Sequence, residues 1–280
     1  PAVLAGGVVQ VNLIVGRQVA SATEGAMTWL FYADRLYQLP LGVVGIAIGV
    51  VLLPELSRRL RANDAEGSRQ AYNRGTEFAL LLTVPAAVAL VVIAWPIISV
   101  IYQRGAFGAG AAANTAQALA AYAIGLPAFV LQKVLQPLYY AREDTRSPFR
   151  FALWSMVVNL VLAVGLMPVM GFLAAAVATS ASAWVMVWQL WRGTLPMGEA
   201  ARFDTRFRQR LPRIIAASAL MGALLWVLSW AFAGQLATPG LRTLVLGGII
   251  LAGIATYFTA AAALGAVSLA DLKSSLRRKR

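Results

Sequence analysis

The stretch LLLTVPAAVALVVIAWPIISVI, residues 80–101, contains no Asp, Glu, Lys or Arg. As a helix rising about 1.5 Å per residue it is roughly 33 Å long, and the hydrocarbon core of a bilayer is about 30 Å thick. Its apolar residues are continuous and lack the every-second-residue alternation of a barrel strand. It predicts a membrane-spanning helix. The same ruler finds eight spans, roughly Ala2–Ala22, Trp29–Leu53, Thr76–Ile101, Ala112–Tyr139, Phe149–Met167, Phe172–Trp191, Ile214–Phe232 and Leu241–Val267. Pro40, Pro85 and Pro127 fall inside spans, which membrane helices tolerate as kinks. The predicted fold class is an all-α integral membrane protein with eight transmembrane helices.

Composition points the same way. Of 280 residues 60% are apolar and 12% charged, against about 45–50% and about 25% in a soluble domain. A water-soluble globule has no means of hiding so much apolar surface. The chain has no Cys and no His. That excludes a disulfide framework, thiol nucleophiles, Ser-His-Asp triads, the usual zinc sites and haem ligation by His or Cys.

The placement of basic residues tests the spans. Of 24 Lys and Arg, 19 fall in alternate loops on one side: Arg58, Arg59, Arg61, Arg69 and Arg74; Arg142, Arg146 and Arg150; Arg192, Arg202, Arg206, Arg208, Arg210 and Arg213; and Lys273, Arg277, Arg278, Lys279 and Arg280. The other side has only Arg104 and Arg242, and three more fall inside spans. Basic loops stay cytoplasmic, so both ends of the chain are expected there. Basic loops lying against anionic headgroups explain most of the net charge of +13, and no nucleic-acid partner is implied. The segment Pro54–Gly75 reads equally as a short interfacial helix or a solvated loop. The chain opens at Pro1 without an initiator Met or a signal-peptide n-region, and is expected to be the C-terminal part of a longer protein.

An ionised side chain at the bilayer centre costs at least about 2.5–3.5 kcal/mol, so those within spans call for a reason. Arg17 follows Gln10 and Asn12 in the first span. Asp34 and Arg35 open the second, and Lys133 sits late in the fourth between Gln132 and Gln136. Residues three or four apart share a helix face, so Arg35 and Gln38 point one way, as do Gln132 and Gln136. Tyr32, Tyr139 and Tyr140 place amphipathic rings near these positions. Lipid offers no hydrogen bonds, so such faces are expected to line an interior cavity. A cavity holding Arg17, Arg35 and Lys133 against Asp34 is net cationic and suits an anion, phosphate in particular, which the planar guanidinium fork grips through two oxygens. The competing readings are that Arg17 and Lys133 snorkel to the interfaces and that Arg35 is neutralised by a structural ion pair with Asp34 or with another residue not identified from the sequence. Glu143 and Asp144, beside Arg142 and Arg146, read as a self-neutralising, helix-capping turn before Pro148 and not as a metal pair.

Three long motifs carry a family resemblance. Tyr32-Ala-Asp-Arg-Leu-Tyr-Gln-Leu-Pro-Leu-Gly-Val-Val-Gly-Ile-Ala47, followed by Leu52-Leu-Pro-Glu-Leu-Ser57, resembles the eighth transmembrane helix of the MurJ (MviN) lipid II flippases. Arg104-Gly-Ala-Phe107 is similar to that family's signature between its ninth and tenth helices. Lys133-Val-Leu-Gln-Pro-Leu-Tyr-Tyr-Ala-Arg-Glu-Asp-Thr-Arg-Ser-Pro148 resembles the end of its tenth helix and the following loop. The motifs stand in the family's order and spacing, and the resemblance covers essentially the whole chain.

The resemblance implies a fourteen-helix transporter of the MATE-like exporter superfamily, built from two pseudo-symmetric bundles and a C-terminal helix pair. This chain would supply helices seven to fourteen: the second six-helix bundle over residues 1–192, a basic cytoplasmic linker over 193–213, and the helix pair with its basic tail over 214–280. The implied activity moves lipid-linked peptidoglycan precursor from the inner to the outer leaflet of the bacterial inner membrane by alternating access, for cell wall synthesis. The partners it implies are lipid II, membrane lipids and the N-terminal bundle of the same protein. It places the diphosphate in a cationic cavity between bundles and the polyprenyl tail in a groove formed with the last two helices. Arg35, with Asp34 beside it, matches a family cavity arginine, and Lys133 a recurrent position; Gln38 stands where some members have Glu. Asn159 and Thr179 match two positions of a family sodium site, but Gly16 and Ala163 replace its two aspartates, so no metal site is expected. No cofactor is expected either. Two competitors are weighed against it. A related exporter of another polyprenyl-linked glycan or of drugs is the first. The second, a membrane enzyme acting on polyprenyl phosphates, is disfavoured because no cytoplasmic loop carries an acid-rich or His-containing motif.

Overall fold

The computed structural model describes residues 23–266. Among them every long element is a helix: α1 Ala26–Arg61, α2 Ala65–Val92, α3 Ala94–Tyr102, α4 Ala109–Tyr140, α5 Arg146–Met170, α6 Leu173–Thr194, α7 Thr205–Ala231, α8 Ala233–Ala237 and α9 Arg242–Ala263. Two single 3-10 turns, Leu195–Met197 and Glu199–Ala201, join α6 to α7. Six helical stretches among the described residues are long and apolar enough to cross a membrane: Ala65–Val92, Ala109–Tyr140, Arg146–Met170, Leu173–Met197, Glu199–Ala231 and Arg242–Ala263. The expected second span lies within α1. The expected first span, Ala2–Ala22 with Arg17 and Gly16, and the basic tail from Lys273 lie outside the described residues.

Three boundaries differ from the sequence reading. The segment Pro54–Gly75 is neither an interfacial helix nor a loop. The 36-residue α1, roughly 54 Å long and so longer than a hydrocarbon core is thick, continues through this segment and carries Arg58, Arg59 and Arg61 on its last turn. A tight turn then leads into α2, whose first amides are capped by Asp64, accepting from the Gly67 N–H at 2.8 Å. Glu55 meets Arg58 and Arg59 at 2.5 Å at the same end of α1. The third expected span, Thr76–Ile101, is broken at Ile93 into α2 and α3. Pro96 has no N–H to give the Val92 carbonyl, so the ladder ends there and restarts with Pro96 in the first turn of α3. Finally, the stretch read as a basic linker, 193–213, holds both 3-10 turns and the start of α7. That helix begins at Thr205, with Asp204 accepting from the Phe207 N–H at 2.7 Å.

Helix α4 is the hub. It packs against α1, α2, α3 and α6, with Leu119, Leu126, Val130, Val134 and Leu138 fully buried. α5 is held mainly by α6, while α7 leans on α2 and carries α9. Lipid tails are as apolar as leucine, so close backbone approach and side-chain-to-carbonyl bonds must supply the cohesion. The α4–α6 seam has both. A Cβ at Gly125 would stand 3.0 Å from the Ser180 Cα. The Ser180 hydroxyl donates to the Ala121 carbonyl at 2.6 Å, the Trp184 indole to Ile124 at 3.0 Å, Gln132 to Ala183 at 3.1 Å, and Tyr139 Oη to Leu190 at 2.5 Å.

Candidate functional site

The site is built on the first turns of α1. Tyr37 is 6% exposed and stacks on Tyr122 of α4, ring centroids 5.3 Å apart and planes 16° from parallel. It also meets Phe129 at 5.8 Å. With Ala33 and Leu30 buried alongside, this pins one flank of α1 to the hub and leaves another flank facing out. Asp34 is half-buried at the boundary, while Arg35 and Gln38 are exposed.

Within this group, Gln38 Nε2 donates to the Asp34 carboxylate one helical turn away. The Arg35 guanidinium lies over the Phe31 ring, 4.8 Å from its centroid, a cation–π contact. The carboxylate thus takes an amide partner and the guanidinium of the exposed Arg35 rests on a ring. That is a suitable posture for receiving an anion from the open side.

Lys133 is also exposed, on α4. Its stem lies against α1 much farther along: a Cβ at Gly45 would meet the Lys133 Cγ at 3.9 Å. Gly45 is ten residues beyond Arg35, roughly 15 Å along the helix axis. Gln38, Gly42 and Gly45 share a face of α1 by their four- and seven-residue spacing. The structure therefore brings Arg35, Asp34 and Gln38 together and sets Lys133 at the other end of the same open flank. Arg17 lies outside the described residues.

Other expected site residues are used elsewhere. Gln132 does not share a polar lining with Lys133, since its amide clamps the Ala183 carbonyl of α6. Tyr139 is 1% exposed and serves the same seam. Asn159 and Ala163 are buried on α5, and the Thr179 hydroxyl donates to Ala175 of its own helix at 2.8 Å. Asp144 Oδ1 accepts from the Ser147 and Arg146 amides at 2.9 and 3.1 Å, so this turn does cap α5. The amide and hydroxyl of Ser147 hold the Asp144 carboxyl below the usual carboxylate range.

One polar centre escapes a sequence reading. Glu77 of α2, 7% exposed, accepts from Arg74 at 2.5 Å and from Arg210, with Arg206 3.5 Å away. Arg74 also reaches Asp204, and Asn73 accepts from the Asp204 amide at 3.0 Å while donating to the Arg202 carbonyl at 2.9 Å. A lone Glu at the mouth of an apolar run, answered by an arginine-rich stretch elsewhere, is the only sequence signal it leaves.

The family model described as "Lipid II flippase MurJ" matches residues 1–246. The chain belongs to the MurJ lipid II flippase family. It is 42% identical over 283 residues to a Rhizobium tropici protein named "Probable lipid II flippase MurJ", covering 100% of this chain and 53% of that one. A relative of the same name from Rhizobium meliloti (strain 1021) is 43% identical over 281 residues, 99% of this chain and 52% of that protein. Among solved structures, "Lipid II flippase MurJ, inward closed conformation" superposes with a TM-score of 0.76 at 25% identity, over 92% of this chain and 51% of that one. A MATE crystal structure superposes at 0.60 with 16% identity, a likeness of fold alone. The chain spans about half the length of the MurJ relatives it matches.

Proposed function

We propose that this chain is the C-terminal half of a lipid II flippase of the bacterial inner membrane: residues 1–192 as the second transporter bundle, 193–213 as a basic linker, and 214–280 as a terminal helix pair, eight spans in all with both ends cytoplasmic. The protein transports and performs no bond chemistry. Its open α1 flank faces the N-terminal bundle across a central cavity, and the two bundles move against each other in alternating access. Arg35, with Arg17, receives the lipid diphosphate; Asp34 and Gln38 hold the approach to that arginine; Lys133 contributes positive charge farther along the cavity. Asn159 and Thr179 are remnants of a cation site without its acids, and membrane potential is left to act on the moving charge.

The observation that carries this reading is the family match over residues 1–246 together with Arg35, exposed on the flank that the hub leaves uncovered. The test is complementation by the full-length protein in a host depleted of its own flippase. Rescue by wild type and loss of rescue with well-expressed Arg35→Ala support lipid II transport and the site. No rescue by well-expressed wild type points instead to another polyprenyl-linked cargo, and rescue by both keeps the function and removes Arg35 from the site.

A further inference from the structure

Among the described residues the loops opposite the basic ones carry two cations, Arg104 and Arg242, and the fold gathers them at one corner. Arg242 Nη1 lies 3.4 Å from the carbonyl of Gln103, whose chain neighbour is Arg104. Between α3, α7, α8 and α9 at that corner is a hollow of about 410 Å³, within the range of ordinary ligand pockets. Trp95, Ser99, Gln103, Trp226, Ser229 and Arg242 contribute to its wall, and no carboxylate does. The Ser229 hydroxyl oxygen is shielded and has no hydrogen-bond partner within the protein. Arg242 is also the first residue of the 22-residue α9, so its charge adds to the positive end of that helix.

Tryptophans at a membrane interface are expected from their amphipathic rings. Two arginines on the side where positive charge is disfavoured are not, and neither is an acid-free polar hollow beside them. A guanidinium and flanking indoles at the edge of the hydrocarbon match a phosphate that arrives attached to acyl chains. Exposed Leu244 and Leu251 continue along α9 as an apolar wall. We propose that this hollow binds the phosphate of an anionic phospholipid, gripped by Arg242 and bracketed by Trp226 and by Trp230, which also lines it. Its assignment to the outer leaflet rests on the orientation proposed above; the site itself does not.

The test places the full-length protein in lipid nanodiscs, where both leaflets are present and neither orientation nor cargo matters. Discs of phosphatidylcholine are titrated with phosphatidylglycerol carrying brominated acyl chains, and quenching of tryptophan fluorescence is read as the difference from a Trp226→Phe/Trp230→Phe variant. Brominated phosphatidylcholine is the control. Quenching of that component should favour phosphatidylglycerol, Arg242→Gln should weaken the preference about tenfold, the worth of a hydrogen bond to a charged group, and Arg242→Lys should keep part of it. Equal quenching by the two lipids, or an unchanged preference in Arg242→Gln, overturns the site. Relief of quenching by trace polyprenyl phosphate overturns the choice of phospholipid in favour of a polyprenyl lipid.

Discussion

Glu77 of α2 and Arg210 of α7, 133 residues apart in sequence, form a direct charge-paired hydrogen bond. Arg74 completes the carboxylate's coordination and bridges on to Asp204, the residue that caps α7. One buried carboxylate therefore ties α7, and through it α9, to α2 at the basic end of the fold. Removing one partner of a buried pair costs more than the pair is worth, because the other charges stay behind.

From this follows the first prediction. Glu77→Ala should destabilise the protein by about 3 kcal/mol, the low end for a broken buried pair, since Arg74 keeps Asp204 and Arg206 is 41% exposed. Glu77→Gln, which still accepts a hydrogen bond, should cost less. Thermal unfolding of the purified protein in detergent gives the comparison; identical midpoints for Glu77→Ala and wild type would remove the tie.

Much of the fold is legible in the sequence because a membrane reduces it to run length and charge placement. α4, α5, α6 and α9 follow the apolar runs that announce them, and the basic residues mark their ends. What sequence hides is whatever depends on a partner helix. Nothing in the apolar run over Leu80–Ile101 singles out Ile93 as a break, since Pro85 in the same run is accommodated within α2. The polar residues of Pro54–Gly75 resemble a loop, although all but the short turn after Arg61 lie in α1 and α2. Gln132, Gln136 and Tyr139 share one side of α4 and Lys133 lies about 100° around the helix from Gln132, and spacing alone does not say that α6 stands against the first of these sides. At the candidate site, Arg35, Asp34 and Gln38 could be read from their cost in lipid, but the distance between Arg35 and Lys133 required the packing of α4 on α1.

The α4–α6 seam gives a second prediction. A Cβ at Gly193 would lie 2.3 Å from Tyr139 Oη, the hydroxyl that donates to Leu190. Gly193→Ala should therefore expel that hydroxyl and cost about 1–3 kcal/mol through the lost bond and local overpacking. Tyr139→Phe alone should cost about 1 kcal/mol. The double variant should be less destabilised than the sum of the singles, because removing the oxygen makes room for the methyl. Strictly additive midpoint shifts would show that the clash is relieved some other way.

The Asp144 turn yields a pH prediction. Its carboxyl is held below the usual range by the Ser147 amide and hydroxyl, and then by the Arg146 amide and charge. A depressed carboxylate contributes stability that is fully present above its unfolded value, near pH 4, and that is lost as the pH falls through the lower folded value. Asp144→Ala should thus lower stability by about 1 kcal/mol at pH 7, and the gap to wild type should close in the acid range. Asp144→Asn, an acceptor without a titratable proton, should show no such closure. A gap that persists unchanged at pH 3 would assign the loss to packing.

The last prediction concerns the two cations of the open flank. Arg35 lies beside Asp34 and Gln38, whereas Lys133 meets α1 at Gly45, roughly 15 Å farther along the axis. A single diphosphate gripped by both would couple them, and removing either would forfeit most of the benefit of the other. Sites more than about 7–10 Å apart with no shared partner act independently. Binding of lipid II to the full-length protein, followed by native mass spectrometry, should therefore weaken about tenfold in Arg35→Ala, the scale of one charge-assisted contact, and less in Lys133→Ala. The loss in the double variant should equal the product of the two. If Lys133 acts through the potential of the proposed cavity and Arg35 by direct contact, the effect of Lys133 should fade with salt while that of Arg35 should persist. A strongly non-multiplicative double variant would place both cations on one phosphate group and require α1 and α4 to shift past each other as the cargo binds.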